Sequence, residues 1–265
     1  MVWKGIVVST WVLLRGLTRE TRHWGDFPEI FKRECSDAEV HAIDLPGNGG
    51  LNAHESPMQV TEMAESCRHQ LRELGIVPPY YVVAMSLGAM VAVAWATRNP
   101  EEIGGCVLIN TSLRSLSPVH HRLRPQNYLK LSSLLLPGCD THFRERVILQ
   151  ITSNRPISPE KLSEWSGYAR EKPVSARNAL RQLLAAVRYQ PPSAKPLPPV
   201  LVLSSAQDRL VDSRCSRTLA ARWNSAFAEH PSAGHDLPLD DAHWVAEQIR
   251  RWVHDPTHTP LPGGL

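Results

Sequence analysis

Apolar residues fall in continuous runs rather than alternating ones, and the runs are separated by segments of helical length. Ile6 to Leu14 is β-branched or apolar apart from Ser9 and Thr10, and Arg15-Gly16 ends it. Val40–Ile43, Tyr80–Ala84, Gly105–Ile109 and Val200–Ser204 repeat the pattern, and Ser225–Glu229 is a weaker sixth run. A strand with one wet face alternates, whereas a strand covered on both faces does not. The runs therefore predict an α/β fold with a mostly parallel sheet of about six strands, flanked by helices on both sides. Helices are expected over Trp24–Phe31, from Pro57 as a first helical residue up to Gly75, over Ala89–Arg98, and over Asp241–Val253. The third of these is apolar almost all round, which predicts a buried helix.

Between the fourth and fifth strands lie about ninety residues with no strand pattern. Helical spacing recurs there near Tyr128–Leu136, Phe143–Thr152, Pro159–Arg170 and Val174–Val187. This predicts a helical cap insertion over 113–190 that leaves and rejoins a core of 1–112 and 191–255 at the carboxyl edge of the sheet. The return, 191–199, is proline-rich and reads as a stiff extended linker. Residues 256–265 have little to bury and are expected to be a disordered tail.

Charge changes the picture in one place. The net charge is +3, too small to suggest nucleic acid. From Leu113 to Gln190, however, thirteen Lys/Arg face five Asp/Glu, a local excess of 13 − 5 = +8. The five cysteines lack the spacing of a zinc site and are odd in number, so neither a metal centre nor a disulfide framework is indicated. No membrane-length apolar segment and no secretory leader is read, which points to a soluble, cytoplasmic protein.

The chemistry starts at Ala84-Met85-Ser86-Leu87-Gly88, between the third strand and the helix after it. A strand reversing sharply into a helix strains its turn residue, and small neighbours two positions away let the chains pass. Ser86 is thus either a nucleophile held at the strand end or a helix-capping serine. A serine hydroxyl needs a histidine base and a carboxylate to orient it. Asp208 follows the fifth strand and His235 follows the sixth, each in a loop at the same edge. Alternatively, Asp208 is a loop or capping carboxylate, although Asp212 is the better cap, and His235 is an ordinary surface histidine. Two N–H donors would be required at an oxyanion. Those of Leu87 and Leu17 are the candidates, the latter because Arg15-Gly16-Leu17 can turn the chain back towards Ser86. His120-His121 and the His230–His235 stretch lack metal-ligand spacing, and no glycine-rich phosphate cradle follows a strand. No metal and no cofactor is expected.

Together these segments resemble the α/β-hydrolase superfamily, specifically its small esterases with a helical cap. The resemblance runs from about Trp11 to Val253. It is carried by Val12-Leu13-Leu14-Arg15-Gly16 with Trp24 downstream, Asp44-Leu45-Pro46-Gly47, the Ser86 elbow, Asp208-Arg209-Leu210-Val211 and Gly234-His235. It departs at Arg15, where the family usually has histidine, at Asn48-Gly49-Gly50-Leu51-Asn52, and in its short amino-terminal segment. Asn110-Thr111 stands where some relatives hold the acid, which supports Asp208. The resemblance implies a serine carboxylesterase acting through an acyl-enzyme on a small ester. The basic cap further resembles esterases that demethylate a pimeloyl chain on acyl carrier protein, an acidic partner. The alternative from another class, motivated by Arg15, is a binding or signalling protein that uses the pocket as a receptor. Lyase, peroxidase, amide and carbon–carbon hydrolase chemistry are lesser alternatives on the same side chains.

Overall fold

The computed structural model describes residues 9–134, 139–191 and 194–255. Six strands, β1 (Ser9–Leu14), β2 (Ala38–Ile43), β3 (Tyr80–Met85), β4 (Ile103–Ile109), β5 (Val200–Ser205) and β6 (Ala226–His230), form one all-parallel sheet in the order β2-β1-β3-β4-β5-β6. The expected α/β-hydrolase sheet is therefore present: β2 to β6 each start within two residues of the predicted position, and β1 ends at Leu14 as predicted. Ile6–Val8, the head of the first run, lie outside the described residues.

Helices cover both faces. They are α1 (Phe27–Glu34), α2 (Val60–Glu73), α3 (Leu87–Arg98), α4 (Val119–Arg122), α5 (Tyr128–Ser133), α6 (Thr141–Thr152), α7 (Pro159–Glu171), α8 (Ala176–Arg188), α9 (Arg214–Trp223), α10 (Leu237–Asp240) and α11 (Ala242–Val253). Side chains alternate across each strand, so one continuous apolar run feeds two cores. Val12, Leu14, Val82 and Ala84 pack with α2, α3 and α9, while Trp11, Leu13, Val83 and Met85 pack with α1 and α11. Among the described residues no helix is long and apolar enough to cross a membrane.

Two helix starts differ from the sequence pattern. The expected Trp24–Phe31 helix is a 3-10 turn over Thr21–Trp24 followed by α1, because Gly25 adopts φ 53° and turns the chain between them. Pro57 is not helical, and α2 begins at Val60. Ser56 is tied down on three sides, its Oγ donating to Pro46 O at 2.7 Å, its N–H to Asn178 Oδ1 at 2.9 Å, and its carbonyl accepting from Arg181 Nε at 2.5 Å. The chain cannot turn into the helix until past Pro57.

The β4–β5 segment holds α4 to α8 and no strand among its described residues, and local caps explain three of its helix starts. Asp140, Ser158 and Ser175 accept from the N–H groups of Phe143, Lys161 and Asn178. The end of the Tyr128–Leu136 patch and residues 192–193 of the linker lie outside the described residues, as does the tail from Pro256. One expectation about this segment is corrected. It leaves at the carboxyl end of β4, but re-enters at the amino end of β5, as parallel pairing of the two strands requires. The Pro199 carbonyl accepts from Cys106 N–H on that side.

Candidate active site

Ser86 sits between β3 and α3 with φ 54° and ψ −114°, a conformation that a residue with a side chain rarely holds. Its neighbours impose it. The Ser86 N–H donates to Ile109 O at 2.9 Å and its carbonyl accepts from Thr111 Oγ1 at 2.9 Å. On the other side, a Cβ on Gly88 would lie 2.6 Å from the carbonyl oxygens of both Leu14 and Arg15, so only glycine lets α3 pass β1 this closely. A Cβ on Gly16 would stand 3.2 Å from Ser86 Cβ and 3.7 Å from its Oγ. The loop after β1 therefore lies directly against the serine.

That loop closes as a turn, with Arg19 N–H donating to Gly16 O at 3.2 Å. The Leu17 N–H lies outside that bond. Thr18, at φ 56°, donates its N–H to Gln182 Oε1 on α8 at 2.9 Å. Leu87 is the first residue of α3, where the helix has no carbonyl for its N–H.

Asp208 and His235, both buried, meet across the β5 and β6 loops with Oδ2 2.7 Å from Nδ1. The other carboxylate oxygen, Oδ1, accepts from the N–H groups of Leu210 at 2.7 Å and Val211 at 2.9 Å. Asp208 is thus held by its own turn and presents one oxygen to the imidazole. Asp212, expected as the cap of the following helix, lies one residue before the N-cap position of α9, Ser213, and accepts from Arg214 N–H at 3.0 Å.

Two bracing elements went unread in the sequence. Asn110, at φ 45°, donates from Nδ2 to His235 O at 2.8 Å and to Ser205 Oγ at 2.9 Å, and accepts from Ser205 N–H. The residue before it, Ile109, holds Ser86, so consecutive residues of one strand end anchor the serine turn and the histidine loop. The second element is the turn after α6. Thr152 O accepts from Asp236 N–H at 2.7 Å, Asn154 Nδ2 donates to Gln207 O and Ser232 O, and Asp240 accepts from Ser153 Oγ, Asn154 N–H and Gly234 N–H. No local pattern marks Asn110 or Thr152–Arg155, because their partners lie far away in sequence.

The Arg15 side chain does not enter the site as a loose cation. It is buried, lies 5.0 Å over the Trp24 ring, and pairs at two points with Asp236. The unusual loop after Pro46 is likewise built in. A Cβ on Gly49 (φ 49°) would run into Asp44 Oδ2, which accepts from Gly50 N–H, and Gln182 binds Asn48 Oδ1 at 2.8 Å.

Beyond this loop, Arg19 pairs with Glu145 on α6 at 2.6 Å and lies 4.9 Å over Trp165 on α7. His23 fills the space between. It accepts Glu20 N–H at Nδ1, stacks edge-on against Trp165, and is pushed well below the ordinary imidazole range by burial and then by the nearby Arg19 and Arg15. A histidine whose folded pKa is depressed takes up a proton on unfolding, so stability should be full above about pH 6.5 and fall as pH drops below it. Unfolding free energies between pH 7 and pH 5 should fall more steeply for the native chain than for His23→Gln, by up to about 1.4 kcal/mol per pH unit. Parallel slopes would contradict this.

A six-stranded parallel sheet with a strained serine at the end of a central strand, and an acid and an imidazole in the loops after the last two strands, defines the α/β-hydrolase fold. The chain belongs to the Alpha/beta hydrolase family, whose model matches residues 11–248. RutD of Klebsiella pneumoniae (strain 342), a protein named for carbamate hydrolysis, is 28% identical over 248 residues, covering 91% of this chain and 88% of its own. The pimeloyl-[acyl-carrier protein] methyl ester esterase of Chromobacterium violaceum is 26% identical over 225 residues, covering 80% of this chain and 83% of its own. Among solved structures, a thermophilic esterase from Thermogutta terrifontis superposes with a TM-score of 0.68 at 21% identity, over 95% of this chain and 91% of that one. At that identity the likeness concerns the fold.

Proposed function

We propose that this protein is a serine hydrolase that cleaves carboxylic esters through an acyl-enzyme on Ser86. The observation that carries this reading is the buried Asp208–His235 pair, 2.7 Å apart, in loops tied through Asn110 to the same strand end whose Ile109 carbonyl holds a serine at φ 54°. Asp208 holds the proton on Nδ1, which leaves the His235 Nε2 lone pair to accept the Ser86 proton as Oγ attacks the carbonyl. The N–H groups of Leu17 and Leu87 bind the developing oxyanion. His235 then protonates the leaving alcohol and, in the second half, activates water. The helices between β4 and β5 act as a cap over this edge. An organophosphonate probe tests the reading: it should label Ser86 in folded protein, and a folded chain that resists labelling at Ser86 would refute it. Arg15 no longer favours a receptor, because Asp236 neutralises it.

The basic excess of the cap supports an anionic or carrier-bound acyl substrate. Glu145 and Glu171, two of the five cap acids, are taken up by Arg19 and Arg22 of the core, while Arg114, Lys130, Arg146, Arg170 and Arg188 stand exposed. The esterase relative is named for such a carrier. Hydrolysis of an ester on acyl carrier protein should therefore exceed that of the same free ester and fall about tenfold or more from low to high salt. Equal, salt-independent rates would exclude the carrier.

A further inference from the structure

Arg15 touches both halves of the site. Its backbone carbonyl presses on the first turn of α3 at Gly88, and the next residue, Gly16, lies against Ser86. Its side chain runs the other way, across Trp24, and ends on Asp236 with Nη1 3.0 Å from Oδ1 and Nη2 2.5 Å from Oδ2. Asp236 directly follows His235. The loop that would bind the oxyanion and the loop that carries the imidazole, 221 residues apart in sequence, are thus joined by one buried two-point ion pair.

We infer that Arg15 and Asp236 are positioning residues, a clasp that sets the donor loop and the His235 loop at a working distance across Ser86. The inference rests on the reading of Ser86, Asp208 and His235 given above. A buried ion pair is about neutral for stability against an apolar replacement of the same size, so stability alone does not account for it. A planar fork on a carboxylate does fix distance and orientation together, which a point charge does not. The clasp also balances charge beside the imidazole. Charged groups tied to the His235 loop include Asp208, bonded to the imidazole, Asp236 beside it, Asp240 through the Gly234 N–H, Arg155, which donates to Asp240 O, Arg15 through Asp236, and Arg209, which donates to Ser153 O on the turn that holds Asp236 N–H. With Arg15 and Asp236 cancelling, Asp208 remains the imidazole's own counter-charge.

The test compares wild type, Arg15→Met, Asp236→Asn and the double variant Arg15→Met/Asp236→Leu on a nitrophenyl ester, with Ser86→Ala as reference. The double variant leaves no unpaired buried charge and is expected to unfold at a temperature near that of wild type. Its KM should stay within about threefold while kcat falls about 10- to 100-fold, the scale on which misplacement by about 1 Å acts. The singles should move the acidic limb of kcat/KM in opposite directions. Arg15→Met, which leaves a bare carboxylate beside His235, should move it to higher pH, and Asp236→Asn, which leaves a bare guanidinium, to lower pH. If the singles do not fold, the double variant decides. A folded double variant with wild-type kcat, or folded singles that shift together or not at all, overturns the clasp while Ser86 remains essential. Hydrolysis unchanged by Ser86→Ala would overturn the reading of the site and the clasp with it.

Discussion

Replacing Ser86 by alanine should lower ester hydrolysis by at least about 10⁴-fold, with the unfolding temperature little changed. Removing the hydroxyl takes away the atom to be acylated, and the side chain shown bonded to the Ser86 backbone, Thr111, has its hydroxyl committed to the Ser86 carbonyl. Alanine fits the space, but like serine it must hold φ 54°, so the change alters chemistry and leaves the elbow's strain as it was. What rate remains would come from the oxyanion donors and substrate binding alone. The measurement is kcat/KM on a short nitrophenyl ester with purified protein, alongside loss of phosphonate labelling. A retained rate would mean that the ester is cleaved elsewhere.

Asp208→Asn should cost about 10⁴-fold in kcat, and the geometry says why. Oδ1 of Asp208 already accepts two backbone N–H groups, from Leu210 and Val211. An asparagine there must keep its carbonyl oxygen on those donors, which turns its amide nitrogen towards His235. A donor facing Nδ1 forces that nitrogen to accept, and the ring proton moves to Nε2. The histidine then presents a proton to Ser86 where a lone pair is needed. Because the asparagine satisfies the same turn, unfolding temperature should stay near that of the native chain while kcat collapses. A variant within about tenfold of wild type would mean that Asp208 is a turn residue only.

The strands were legible because burial on both faces leaves nothing polar in them, and this is a property of composition along a short window. Ser86, Asp208 and His235 were legible as positions, each the first distinctive residue after a strand end, and the structure brings the last two into contact. What the sequence did not disclose are contacts between such positions. Arg15 reads as a stray cation until Asp236 is seen beside it. Pro57 reads as a helix start until Ser56 is seen pinned to Pro46 and to α8. Asn110 reads only as a neutral residue where some relatives hold the acid, and the fold shows it holding the carbonyl of His235 and the N–H of Ser205.

By itself, the amino-acid order determined the parallel sheet, the helical segment between β4 and β5 and the residue types at the ends of the strands, since hydrophobic period, turn chemistry and capping act over a few neighbours. The tertiary structure decided which of those ends face one another and how the charges near them are neutralised. Such pairings join residues more than a hundred positions apart, through bonds whose strength depends on burial and orientation, and neither exists until the chain has folded.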